Sequence, residues 1–293
     1  MSSSIQWKEL SKVYLTHIQR HFKRFLLDVL RVGPIPQHVA FIMDGNRRYA
    51  KAKNISIAQA YLSGAETLNQ TLDTCFLSGV KCITVYAFST ENFKRPPEQL
   101  ETLMAIAVAI MNMQVLKLAE LGHRPKVQVL GRLDLLPGKV RYCLQRVVKE
   151  TSNNTETVLN LCVGYTSREE ITTAIRRTVH ETTDPGSITE HSLEQNLYTA
   201  GCPPLDIVVR TSGEKRLSDF LLWQCHQQSE IVVVDCNWPE LGFLQLFRVF
   251  MGWQRRRGWA SIASSSGVDK KTLAIPVCVL IAGLLLLALV KAT

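Results

Sequence analysis

The stretch HVAFIMDGNRRYAK, residues 38–51, sets an acid, a glycine, an amide and two guanidiniums directly after a run of apolar and small residues. Two distant runs end in the same way. TVYAF leads into Ser89-Thr90-Glu91-Asn92-Phe93-Lys94-Arg95, and DIVV leads into Arg210-Thr211-Ser212-Gly213-Glu214-Lys215-Arg216-Leu217-Ser218. Guanidiniums pair bidentately with phosphate oxygens, and glycines at 45 and 213 let backbone N–H groups approach an anion. A carboxylate such as Asp44 repels phosphate unless Mg²⁺ bridges the two, and Mg²⁺ binds through one or two carboxylates plus substrate oxygens. Neither GxxxxGK[ST] nor GxGxxG occurs, so the usual nucleotide loops are not indicated. Taken singly, each motif has a plain structural reading: Asp44 capping a helix, or Arg210 pairing with Glu214. Together they describe a large pocket for a diphosphate.

The elements that must carry these motifs read as strands alternating with helices. Short β-rich runs fall at 39–43, 82–88, 127–131, 158–163, 206–210 and 230–235, with helical patterns at 63–78, 97–121, 137–150, 167–181 and 190–198. Continuous apolar strands between helices imply an α/β fold: a single domain with a mostly parallel central sheet flanked by helices. Ligands in such sheets bind beyond the carboxyl ends of the strands, where all three motifs fall. The helical run 100–121 is apolar on more than one side (Leu103, Met104, Ala107, Ile110, Met111, Met113), which suits either a tunnel wall or a buried core helix.

The chain has 293 residues, 46% of them hydrophobic, and a formal charge of +9 from 34 Lys and Arg against 25 Asp and Glu. That excess points to an anionic partner. The basic residues are dispersed, with no zinc-finger spacing or aromatic–basic RNA signature, so no nucleic-acid partner is expected. The eight cysteines include no CxxC, which suits reduced thiols facing the cytosol.

The two ends suggest a membrane. Residues 273–290 carry no charge and span about 27 Å as a helix, a length that fits a transmembrane tail anchor in a thin bilayer such as the endoplasmic reticulum. Lys270 and Lys271 before it place the main domain in the cytosol. Near the N-terminus, Tyr14, Ile18, Phe22, Leu26 and Val29 form a stripe flanked by Arg20, Lys23, Arg24 and Arg31. This amphipathic basic helix can lie on an anionic membrane, cover an apolar opening, or simply pack. The expected organisation is a helix within 1–33, a catalytic domain over 34–258, a linker over 259–272 and an anchor over 273–290.

HVAFIMDGNRRYAK, YAFSTENFKRP, GYTSREEI, RTSGEKRLSDFLLWQ and NWPEL together resemble the cis-prenyltransferases, most of all the eukaryotic dehydrodolichyl diphosphate synthase branch. The resemblance covers about residues 33–258. It implies a Mg²⁺-dependent condensation of isopentenyl diphosphate onto farnesyl diphosphate, giving long-chain polyprenyl diphosphate. Matched motif by motif, it assigns Asp44 to Mg²⁺ and the allylic diphosphate, cradled by Gly45, Asn46, Arg47, Arg48 and Tyr49. Ser89, Asn92 and Arg95 fall near the isopentenyl diphosphate, with Asn92 in the proton-removal step. Arg210, Arg216 and Ser218 match the homoallylic diphosphate clamp, and Glu230 matches a second metal carboxylate.

The match departs from the family pattern at Ile57 and at Ala60-Tyr61, where an Arg and a Gly-His pair are usual. Each lost phosphate contact costs about 1.5–3 kcal/mol. A non-catalytic or weakly active subunit of a heteromeric complex is therefore the alternative reading. The expected assembly is a homodimer or a heteromer with a related accessory subunit, and Arg256-Arg257-Gly258 spells an R-x-G sequence.

Overall fold

A computed structural model of the chain describes residues 18, 20–95, 97–182, 184–226 and 228–266. A helix over 20–31 (α1) precedes β1 (His38–Ile42), α2 (Asn46–Lys53), α3 (Ile57–Ser78) and β2 (Cys82–Ser89). A 3₁₀ turn over Thr90–Lys94 leads to α4 (Pro97–Glu120), β3 (Lys126–Leu130), α5 (Gly138–Glu150), β4 (Val158–Tyr165) and α6 (Ser167–Glu181). The remaining elements are α7 (Glu190–Glu194), β5 (Ile207–Arg210), α8 (Leu222–Cys225), β6 (Glu230–Val233) and α9 (Phe243–Ser266).

The six strands form one parallel sheet in the order β3-β4-β2-β1-β5-β6. Strand β1 shows why its sequence is continuously apolar. Val39 and Phe41 join the larger core with α3 and α9, while Ala40 and Ile42 join a second core with Tyr165 and Phe220. A strand covered on both faces has no polar side to present. Because β2 and β5 lie on opposite sides of β1, the chain changes direction there, and a crevice opens at the carboxyl ends of these strands. The long crossover helix α3 starts in a Ser56/Gln59 capping box and stops at Gly79 in the left-handed region.

One polar row crosses the buried sheet. His38 Nδ1 donates to Pro203 O (3.0 Å), which fixes the neutral tautomer whose Nε2 accepts from Thr84 Oγ1 (2.7 Å), and Asn160 Nδ2 also bonds to Thr84 Oγ1 (3.1 Å). Desolvation lowers the His38 pKa to about 4. The seven described cysteines are all free thiols.

At the N-terminal end the structure takes the packed-helix reading, with Leu26 of the expected stripe in the core and Phe22 against it. In α1 the buried residues are Leu26, Leu27 and Leu30, and Gln254 Nε2 donates to Leu30 O (2.7 Å), so this helix packs against α9. Ile18, part of the expected stripe, is exposed. α9 runs on through Ser266, past Gly258 where the catalytic domain was expected to end. The transmembrane helix expected over 273–290 lies outside the described residues, and no helix among those described is long and apolar enough to cross a membrane. The expectations of a membrane anchor, a lipid-bilayer partner and an endoplasmic reticulum membrane location are corrected accordingly.

Candidate active site

A cavity of about 950 Å³ opens beyond the carboxyl ends of β1, β2 and β5. Asp44, Gly45, Asn46, Arg47, Arg48, Ser89, Asn92, Arg95, Arg210, Arg216 and Ser218 all line it. Residues from three distant stretches of sequence therefore share one wall, because parallel strands deliver their carboxyl ends to the same rim.

Arg210 is the pivot. Its side chain is only 4% exposed, and Nη2 donates to Asp44 Oδ2 at 2.7 Å. Nη1 donates to Arg216 O (2.5 Å) and Ser218 Oγ (2.9 Å), while the buried Nε has no partner among the described residues. One guanidinium thus ties the β1 motif to the β5 motif. Thr211 Oγ1 adds a second tie by donating to Asp44 O (2.7 Å) and accepting from Asp44 N–H (3.0 Å).

Gly45 holds φ +105° as the N-cap of α2 and gives its N–H to Asp44 Oδ1 (2.7 Å). A Cβ there would lie 2.6 Å from Asn237 Oδ1 and 2.7 Å from Ser212 Oγ, so the turn requires glycine on both conformational and steric grounds. The NWPEL motif is the support beneath: Trp238 N–H donates to Asp44 O (2.9 Å), and its Nε1 donates to Gly64 O (2.9 Å). α2 then points its first N–H groups at the cavity, with no acidic residue in its first turn to compete for them.

Across the cavity, Ser89 caps the 3₁₀ turn. Its Oγ accepts from Glu91 N–H (3.1 Å), and its own N–H donates to Asn92 Oδ1 (3.0 Å). With that oxygen engaged, the Asn92 NH₂ group has no partner among the described residues. Arg48 donates to Ser212 O (3.0 Å) and lies 3.3 Å from Glu214, which also pairs with Arg216. Tyr86, on the same wall, stacks on Phe220 at 4.5 Å and donates to Ser218 O (3.2 Å). Burial pushes its phenol up to about 12, so it stays a neutral donor.

Two expected residues stand elsewhere. Tyr49 is half-buried on α2 and does not line the cavity. Glu230 opens β6 in register with Ile207, at the far end of the strand from Arg210, about 10 Å along it. There its carboxylate accepts from Arg256, while Arg257 donates to Gln228 O, so Arg256 and Arg257 cluster with Glu230, away from Asp44. Among the described residues no three His, Cys, Asp or Glu side chains come together as a metal site. Sequence reasoning passed over Lys51, Glu91 and Asp219 as lining residues, and it took Tyr61 only as a departure from the family pattern. Ile57 is 41% exposed and lies outside the cavity. A smaller apolar cavity of about 70 Å³ shares Ala87 and Leu103 with the large one and adds Met104, Ala107, Val140 and Leu144. The side chains of Ile110, Met111 and Met113 lie outside the described residues.

The prenyltransferase family model of undecaprenyl diphosphate synthases matches residues 42–259. The chain belongs to this cis-prenyltransferase family. It is 40% identical over 238 residues to the human dehydrodolichyl diphosphate synthase complex subunit DHDDS, covering 80% of this chain and 71% of that protein. The isoprenyl transferase of Thermus thermophilus is 38% identical over 247 residues, covering 80% of this chain and 93% of the relative. Among solved structures, lavandulyl diphosphate synthase from Lavandula x intermedia, in complex with dimethylallyl diphosphate, superposes with a TM-score of 0.70 at 27% identity. The match covers 75% of this chain and 95% of that one. The chain is a prenyltransferase; the activity of its family gives long-chain polyprenyl and dehydrodolichyl diphosphates and is associated with Mg²⁺-dependent catalysis.

Proposed function

We propose that the prenyltransferase binds its allylic diphosphate, farnesyl diphosphate, at the N-terminus of α2, and its isopentenyl diphosphate between Arg95, Arg210, Arg216 and Ser218. The observation that supports this most is the Arg210 bridge, which sets the two halves of the cavity side by side around Asp44. Gly45, Asn46, Arg47 and Arg48 cradle the allylic diphosphate with N–H groups and guanidiniums. Lys51 adds a cation on the same side.

Mg²⁺ fits this site in one form. Asp44 is a single, 30% exposed carboxylate whose two oxygens each accept one close bond, from Gly45 and from Arg210, so lone pairs remain for a cation. One carboxylate flanked by guanidiniums suits Mg²⁺ that arrives with a diphosphate, whose oxygens supply further ligands. Held by Asp44, the ion would supply positive charge against the negative charge that develops on the departing diphosphate. The chain's own residues do the rest. Arg47 and Arg48 take up charge on the leaving group, a preorganised electrostatic role. Arg210, Arg216 and Ser218 hold the isopentenyl group with its double bond toward the allylic carbon. An amide has no useful basicity, so Asn92 orients the proton acceptor through its NH₂ group and does not itself take the proton. The apolar cavity along α4 receives the growing prenyl chain.

The test is condensation of farnesyl diphosphate with labelled isopentenyl diphosphate by the purified protein in detergent. Asp44→Ala is expected to abolish polyprenyl products. Undiminished turnover in that variant would overturn the assignment.

A further inference from the structure

The GYTSREEI motif has no place in the cavity wall, yet its residues grip the segment that forms the wall. Between Arg210 and Trp223 the chain holds Ser212, Ser218, Asp219 and Leu221 at positive φ, 79°, 52°, 60° and 47°. Non-glycine residues keep such angles only when their surroundings over-determine them. Arg210 constrains the segment from the sheet side. The first turn of α6 constrains it from the other: Ser167 N–H donates to Asp219 O (2.7 Å), and Ser167 Oγ accepts from Leu222 N–H (2.8 Å). Arg168 gives both its backbone N–H (3.1 Å) and its Nε–H (2.7 Å) to the Asp219 carboxylate. One turn further on, the buried Glu170 accepts from Gln224 Nε2 (3.2 Å).

We infer that the Arg168–Asp219 pair is a positioning device for isopentenyl diphosphate: it locks the left-handed backbone at 218–219 and so aims Ser218 and Arg216 at the diphosphate. This rests on the reading that Arg216 and Ser218 hold that substrate. The pair does more than close a helix. Thr166, the N-cap of α6, makes no side-chain cap bond, so Asp219 caps the helix from a distant segment, and helix and clamp fix each other. Arg168 itself does not line the cavity, and its side chain is 76% exposed, against 13% for Asp219. It reaches substrate only through the backbone it holds.

The experiment compares Arg168→Ala, Arg168→Lys, Asp219→Ala, the double alanine variant and Arg216→Ala in the full chain, measuring KM for each diphosphate, kcat and Tm. Arg168→Ala is expected to raise KM for isopentenyl diphosphate about tenfold, the effect of losing one charge-assisted contact's worth of placement. KM for farnesyl diphosphate should stay within about twofold, and Tm within about 2 °C, since the Arg168 side of the ion pair is solvent-screened and contributes little to stability. Arg168→Lys should recover part of the loss, and the double variant should be no worse than Asp219→Ala alone. A Tm loss with both KM values unchanged makes the pair a helix cap only and overturns the proposal. An effect confined to Asp219→Ala, with Arg168→Ala like wild type, also overturns it, because Asp219 then acts without its partner. Should Asp219→Ala fail to fold, the exposed Arg168→Ala decides alone. If Arg216→Ala itself leaves KM for isopentenyl diphosphate unchanged, the underlying clamp assignment fails instead.

Discussion

Arg210→Lys isolates what the fork of a guanidinium contributes here, since it keeps the charge and removes the geometry. Arg210 makes three hydrogen bonds from a side chain that is 4% exposed: one to Asp44, one to Arg216 O and one to Ser218 Oγ. Two guanidinium nitrogens on different sides of the group make them. A lysine ammonium is a point donor on a flexible stem, and it can satisfy one side of that arrangement at a time. Two of the three bonds are lost in the simplest case. At about 1.5–3 kcal/mol for a hydrogen bond to a charged group, the loss is roughly 3–6 kcal/mol before relaxation. If half of it appears in the positioning of the two substrates, kcat/KM for isopentenyl diphosphate falls by about 10-fold to 150-fold. The remainder appears as stability, a drop in Tm of several degrees at about 2–4 °C per kcal/mol for a domain of this size. Initial rates with labelled isopentenyl diphosphate and a thermal melt measure both. A variant with kcat/KM within about twofold of wild type and an unchanged Tm would refute the bridging role of Arg210.

Two further outcomes are expected. Ala107→Phe places a ring in the apolar cavity of about 70 Å³ beside Leu103 and Met104, so product chromatography should shift to shorter chains while the first condensation continues; an unchanged length distribution counts against that cavity as the chain's path. His38, held neutral with its pKa lowered to about 4 from 6.5, binds fewer protons folded than unfolded between those values, so its contribution is complete above about 6.5 and is lost as pH falls toward 4. The stability advantage of wild type over His38→Asn should therefore shrink by roughly 3 kcal/mol across that window, by denaturant unfolding at a series of pH values, and a constant advantage would contradict the buried neutral assignment.

The strands were legible because burial on both faces leaves a contiguous apolar signature. The run at 39–43 became β1 over His38–Ile42, and that at 230–235 became β6 over Glu230–Val233. Three carboxyl ends were legible too, because polar residues follow those strands directly, and Asp44, Asn92, Arg210 and Arg216 from these runs line the cavity. α2 was missed as a helix. It is short and polar, and what shapes its start is Gly45 wedged against Ser212 and Asn237, a contact between distant segments.

Residue types and their order thus determined the α/β class, the polar residues offered to the cavity and the family. Tertiary structure alone decided direction and distance. Glu230 matches a motif but opens its strand at the end opposite the cavity, where Arg256 takes its carboxylate. The stripe on α1 turned toward Leu27 and Leu30 because α9 offered Gln254 and an apolar face there. The grip of Arg168 on Asp219 has no trace in local pattern, since it depends on the start of α6 meeting a distant loop. Periodicity along a chain reports which faces are buried; which partner buries or bonds them is set only when the strands assemble.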